Sequence, residues 1–255
     1  MSKVRIKNQS PVLIFCLTLS FMISAATVTL AESRDARPAQ PAPRAVTPFT
    51  SFNFGDVYSG EVISQIFVVR NAGDADLQIT DFVAGCGCEA IRADRDIPPG
   101  KEGVAVVEVQ TISQMGDTTK TATLHTNDPQ RPRIVLTLIA NVLRGRPLRT
   151  GKYIGPVFLS PGTFASLYAA NGKKATTEFS ITSDKPVKVV RAESAMKHFT
   201  SRIEEIEPGR NYKLIVESVP TETGNLYNDQ LRVITDSETL PAFTIDLSLR
   251  VYPKQ

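Results

Sequence analysis

Two cysteines separated by one glycine, Cys86 and Cys88, have the widest chemical scope in this 255-residue chain. They stand in Gly85-Cys86-Gly87-Cys88-Glu89. In an extended strand, residues two apart share a face, with Cα atoms about 6.6 Å apart. That is near the upper limit for a disulfide, and the flanking glycines let the backbone bend closer. Three chemistries follow. The pair can be structural, bonded or buried. It can handle metal, since two thiolates suit Cu(I) and Met115 or His125 could add to them. It can act in redox exchange, because so small a ring is strained and strained disulfides are the more oxidising. Zinc would need two further good ligands, and only His125 and His198 exist. Glu89 beside Cys88 raises a thiol pKa and Arg92 lowers it, but no Lys or His lies within the motif to stabilise a thiolate. The structural role therefore leads. Cys86 and Cys88 stand as disulfide or redox candidates and, behind that, as metal candidates.

The remaining reactive side chains form no set. In Thr121-Ala122-Thr123-Leu124-His125-Thr126, alternation turns Ala122 and Leu124 inward and His125 outward, so His125 reads as a solvent-facing strand residue. His198 receives the same reading. Asp74, Asp76 and Asp81 fit no EF-type calcium loop and read as a solvated turn. No Gly-x-Ser-x-Gly elbow, P-loop or His-Glu-x-x-His is present, and no His/Asp set singles out a serine. No catalytic residue and no cofactor is assigned.

Charge and hydropathy place the chain outside the cytoplasm. Lys3, Arg5 and Lys7 precede an apolar run from Val12 to Ile23, and no charge appears until Glu32. Small residues follow, with Ala31 after Thr29, or Ala26 after Ser24, as cleavage positions. This is the layout of a secretory signal peptide over residues 1–31, and its rival is an uncleaved anchor. Phe15 precedes Cys16 where a lipoprotein cysteine needs a small residue, so lipid anchoring is not expected. The formal charge of +3 reflects 29 basic and 26 acidic residues. Losing Lys3, Arg5 and Lys7 leaves 26 of each, so the exported part is neutral. A neutral surface exerts no general pull on phosphate backbones or anionic lipid. Nucleic acid is therefore excluded as a partner, and a membrane enters only through an uncleaved N-terminus. The chain is expected in the periplasm or outside the cell.

The elements that must position the cysteines are strands. Val62–Arg70, Leu77–Val83, Val104–Gln110, Thr121–Thr126 and Ile134–Leu143 are β-branched, often alternating, and separated by Gly, Pro, Asn and Asp clusters. So are Phe164–Ala170, Ala175–Thr182, Val187–Arg191, Tyr212–Ser218, Gln230–Thr235 and Phe243–Val251. A Pro/Ala-rich linker is expected over 32–48 and a basic hinge over 146–152. Two sandwiches, 49–145 and 153–255, lie on either side of that hinge. The halves resemble a diverged repeat. Gly55-Asp56-Val57 matches Gly155-Pro156-Val157, and Asn71 matches Asn171, at an offset of 100. Pro99-Gly100 matches Pro208-Gly209, and Thr126-Asn127-Asp128 matches Thr235-Asp236-Ser237, at 109. The change implies an insertion of about nine residues between Asn171 and Pro208.

The run Phe52-Asn53-Phe54-Gly55-Asp56-Val57, Gly60, Phe67, Asn71-Ala72-Gly73, Leu77-Gln78-Ile79, Cys86-Gly87-Cys88, Pro99-Gly100 and Thr126-Asn127-Asp128-Pro129 carries a family resemblance. It resembles an uncharacterised bacterial domain-of-unknown-function family of exported proteins. That family is related to Hydin-like (ASH) immunoglobulin-like domains and, more distantly, to PapD-like sandwiches. The resemblance covers about residues 49 to 143 and implies a seven-stranded immunoglobulin-like sandwich without implying an activity. The second half has no cysteine, so any thiol chemistry belongs to the first. The expectation is an all-β chain of two tandem immunoglobulin-like (ASH/PapD-like) β-sandwiches after a signal peptide. It is expected to be no enzyme and to bind another envelope or surface protein.

Overall fold

A computed structural model describes residues 40–85, 88–112, 114–145, 150–219 and 226–253. Residues 1–31, where a signal peptide is expected, Cys86, and residues 146–149 of the expected hinge lie outside the described residues. Every element among the described residues is a strand.

The first half contains β1 (Ala45–Val46), β2 (Ser51–Tyr58), β3 (Val62–Asn71), β4 (Leu77–Ala84), β5 (Glu89–Ala93), β6 (Asp96–Ile97), β7 (Glu102–Gln110), β8 (Gly116–Thr126) and β9 (Arg133–Leu143). β1, β3, β7 and β5 form one face, and β2, β9, β8, β4 and β6 form the other. With β1 and β2 as the split first strand, this is the ABED and GFC arrangement of an immunoglobulin sandwich. Alternation drives it. In β7, Ala105, Val107 and Val109 are buried, and in β9 Ile134, Leu136, Leu138, Ala140 and Val142 are buried. These side chains meet Phe67 and Leu77 in one core.

The second half repeats the order with β10 (Lys152–Ile154), β11 (Val157–Ser160), β12 (Phe164–Ala170), β13 (Thr176–Ser183), β14 (Val189–Ser194), β15 (Phe199–Glu207), β16 (Asn211–Ser218), β17 (Leu226–Ser237) and β18 (Leu240–Tyr252). β11, β13, β16 and β15 make one face, and β12, β18, β17 and β14 the other. A second core, centred on Phe179, Leu214, Leu231, Val233 and Ile245, fills the space between them.

Three expectations change. The linker over 32–48 is too long. Ala45 is buried and pairs with Asn71, its N–H donates to Asp128 Oδ2 at 2.8 Å, and Ala42 N–H donates to Asp74 Oδ1 at 2.7 Å. Proline is tolerated in such an edge strand, so the proline-rich composition did not signal a spacer here. The hinge over 146–152 ends too late, because Lys152 opens β10. That strand pairs antiparallel with β11 and parallel with β3, joining one face of each half into a nine-stranded sheet. Lys152 Nζ meets Glu108 Oε2 at 2.9 Å, Gly155 N–H donates to Ser64 O at 2.8 Å, and Gln65 Nε2 donates to Thr239 O at 2.7 Å. Tyr153 packs on the first core, within ring contact of Phe54 and Phe158.

The third change concerns the repeat. The matches at an offset of 109 coincide in structure, but those at 100 do not. Gly55 sits within β2, whereas Gly155 closes the β10–β11 hairpin. Asn71 ends β3, whereas Asn171 follows β12, where its N–H donates to Tyr252 O as Ser59 N–H donates to Leu143 O. Ala45 pairs with Asn71 as Val157 pairs with Ser183, so the early strands correspond at 112. Asn71 and Pro99 are 28 positions apart, and Ser183 and Pro208 are 25 apart, so the second half is three residues shorter there rather than nine longer. Gly and Asn serve any tight turn, so short matches built on them slide easily.

Candidate functional site

Gly85 and Cys88 of the cysteine motif lie between β4 and β5, and the equivalent loop of the second half, Ala195 to His198, runs from β14 to β15. Both loops leave their strands in the same way. Gly85 N–H donates to Thr121 O at 2.8 Å, and Ala195 N–H donates to Gln230 O at 2.9 Å. Thr121 and Gln230 are related by the 109-residue offset. Gly85 is tightly held: a β-carbon there would stand 2.7 Å from Thr121 O.

Of the two predicted thiols, Cys88 is described. It is half-buried against the first core and free, and its N–H donates to Gly85 O at 3.1 Å. Burial pushes its thiol pKa up, while the Lys120 cation and a hydrogen bond from the Thr121 backbone pull in the opposite direction without reversing it. Lys120 is the residue that sequence reasoning missed. It is 32 positions from Cys88, on β8, and only the pairing of β4 with β8 brings it to the loop. Strand alternation places its neighbours Thr118 and Ala122 inward, but nothing local to the motif points to it.

The other half places Asp229 at the position of Lys120. Asp229 is buried, and its carboxylate accepts from Met196 N–H at 2.9 Å, His198 N–H at 3.1 Å, Gln230 N–H at 2.7 Å and Ser194 Oγ. Burial opposes its charge most strongly. The hydrogen bonds, Ser194 first, outweigh that and hold the carboxyl below the ordinary aspartate range. Lys197 takes a positive φ of 60° as the loop wraps this carboxylate. His198 does not face solvent as expected. It is half-buried, its ring lies 5.1 Å from that of Tyr227, and its Nδ1 stands 3.9 Å from Asp229 Oδ2 with no hydrogen-bond partner. The cause is the loop's turn around Asp229, which strand alternation cannot foresee.

His125 follows Leu124 on β8 and is only partly exposed, on the face opposite the buried Ala122 and Leu124. Asp74 serves β1 through Ala42, and Asp81 Oδ1 accepts its neighbour Phe82 N–H. Met115 is exposed just before β8. Among the described residues, no three His, Cys, Asp or Glu side chains gather as a metal cage.

The chain is similar to several solved structures at low sequence identity. A protein of unknown function from Porphyromonas gingivalis W83 is 12% identical over 81% of this chain and 99% of its own, with a TM-score of 0.32. The N-terminal Ig1-2 module of the Drosophila receptor protein tyrosine phosphatase DLAR is 8% identical over 82% and 98%, with a TM-score of 0.36. A PapD-like (ASH) domain of human CEP192 is 10% identical over 42% and 89%, with a TM-score of 0.33. No curated protein matches the chain. Residues 47–142, the first half, match the family described as Protein of unknown function (DUF1573).

Proposed function

We propose that the chain is an exported, non-enzymatic protein of the cell envelope that binds or scaffolds another envelope or surface protein. The immunoglobulin-like strand order carries this reading. Such sandwiches present loops at their ends and strands at their edges, and partners are recognised through both. The signal-like N-terminus and the neutral charge of the remaining chain support the location and a protein partner. The chain purified from the envelope after in-cell crosslinking should carry a reproducible protein partner, and its intact mass should correspond to cleavage after Ala31. Turnover of substrates in a broad hydrolase and oxidoreductase screen would overturn the reading.

The competing reading gives Cys86 and Cys88 to redox or copper chemistry; burial raises the Cys88 thiol pKa, which disfavours the thiolate that disulfide exchange needs. Cu(I) uptake or disulfide exchange that disappears when both cysteines become serine would restore it.

A further inference from the structure

Seven strands form the sheet edges among the described residues, and six are blunted, β1 by being two residues long between Pro43 and Pro48. β2 carries a bulge between Asn53 and Asp56, with Gly55 at a φ of 70°. β14 has a bulge at Val189/Arg191 and an Arg191–Glu193 ion pair. β15 bears Arg202, Glu204, Glu205 and Glu207. β5 has a bulge and Arg92, and β6 is two residues long with Asp96 exposed. These are the usual devices by which soluble proteins prevent edge-to-edge pairing.

β12 has none of them. Its sequence Phe-Ala-Ser-Leu-Tyr-Ala-Ala contains no charge and no proline, and its seven residues pair with β18 without a bulge. Asp246 N–H donates to Thr163 O, and Asn171 N–H donates to Tyr252 O, so the odd-numbered residues between them face β18. Phe164, Ser166, Tyr168 and Ala170 therefore turn their backbone groups to the open edge. Phe164 and Tyr168 are 59% and 63% exposed, and Tyr168 stacks on exposed Tyr252 with ring centroids 6.1 Å apart.

We propose that this edge pairs with the β12 edge of a second copy of the chain, antiparallel about a two-fold axis at Leu167. Three features fit that occupant. First, centring on Leu167 pairs all seven residues and sets Phe164 opposite Ala170 and Tyr168 opposite Ser166. A large side chain then meets a small one along the outer face. Second, the same register opposes residues whose backbone groups both point outward, giving about eight hydrogen bonds across the axis. Third, the ends of the strand differ in charge. Phe164 pairs with Asp246, while exposed Lys173 follows Ala170, and the two-fold brings the lysine end of one copy to the aspartate end of the other. The join makes an eight-stranded sheet from two four-stranded ones. It depends on the described strands and not on the envelope reading.

Sedimentation velocity on the purified chain, from micromolar to hundreds of micromolar, tests the pairing. The wild type should reach twice the monomer mass. Tyr168→Lys, which puts a cation on the uncharged edge, and Ser166→Pro, which removes an N–H facing the partner, should each leave monomer and weaken association at least tenfold. Val190→Lys, on the β14 edge, should leave the dimer intact. Circular dichroism reports folding, and Ser166→Lys replaces any variant that fails to fold. A wild type that stays monomeric across this range would overturn the proposal, and so would a dimer insensitive to the folded β12 variants.

Discussion

The two halves solve the same loop with opposite charges. Each sends a loop from its third sandwich strand to its fourth, over the same position of a neighbouring strand. In the second half that position is Asp229, and the loop closes around its carboxylate through the N–H groups of Met196 and His198. In the first half it is Lys120, and the nearby group is the thiol of Cys88. A buried carboxylate that accepts from four donors acts as an anchor, because it ties the loop's N–H groups to one point and needs them to offset its own desolvation. A lysine cannot accept, so it cannot close the loop in that way. Its electrostatic influence falls on the thiol instead. One scaffold position thus serves as a structural clamp in one half and as an electrostatic influence in the other.

The hairpin at the opposite end of the same strands shows what was kept. Thr126 Oγ1 donates to Arg131 O and accepts from Asp128 N–H, and Thr235 Oγ1 donates to Leu240 O and accepts from Ser237 N–H. Gln78 N–H donates to Asn127 Oδ1 at 2.8 Å, and Lys188 N–H donates to Asp236 Oδ1 at 2.8 Å. The backbone geometry of the turn is common to both halves, while the side chain beneath the loop has diverged.

The comparison can be broken most severely at Asp229. Asp229→Ala leaves the N–H groups of Met196 and His198 without their acceptor and should cost about 3 kcal/mol or more, measured by urea unfolding, whereas Lys120→Ala should cost under about 1 kcal/mol. The acid limb of stability sharpens the same contrast. The folded pKa of Asp229 lies below its unfolded value. Its stabilisation is therefore complete above the ordinary aspartate range and is lost as pH falls through the folded value. Asp229→Asn should flatten the decline in melting temperature below about pH 4.

Next in size are the twin threonines. Thr126→Val and Thr235→Val each remove a buried hydroxyl that both donates and accepts, and each should cost about 1–2 kcal/mol. Equal losses would confirm the turns as equivalent; a difference beyond 1 kcal/mol would separate them. The smallest effect is chemical. In a background where Cys16 and Cys86 are serine, Lys120→Ala should slow alkylation of Cys88 at pH 8 about two- to fivefold, since the cation opposes the upward push of burial. An unchanged rate would show that Lys120 does not act on the thiol.

Much of the strand pattern was legible because alternation is local. Phe164–Ala170 is the observed β12 to the residue, and Tyr212–Ser218 misses the start of β16 by one. What escaped were the short strands β1, β6, β10 and β11 and the bulged strands β2, β5 and β15, where pairing with a neighbouring strand, not a local period, creates the element. The same division holds at the site. The Cys-x-Cys pair was visible in the sequence, but the cation beside Cys88 was not, because strand pairing across 32 residues brings it there.

By itself the amino-acid sequence determined the all-β class, the inward and outward faces of most strands, the turns at Gly100 and Gly209, and the neutrality of the chain beyond its first 31 residues. These depend on side-chain type, two-residue period and charge count, which need no neighbours. The tertiary structure alone decided that Lys152 joins a shared sheet rather than a hinge and that the early strands correspond at 112. It also decided that Lys120 and Asp229 occupy one position and that β12 is left as an open edge. Each of these depends on which strands lie side by side, and hydrogen-bond pairing between distant segments is not written in the local pattern of either one.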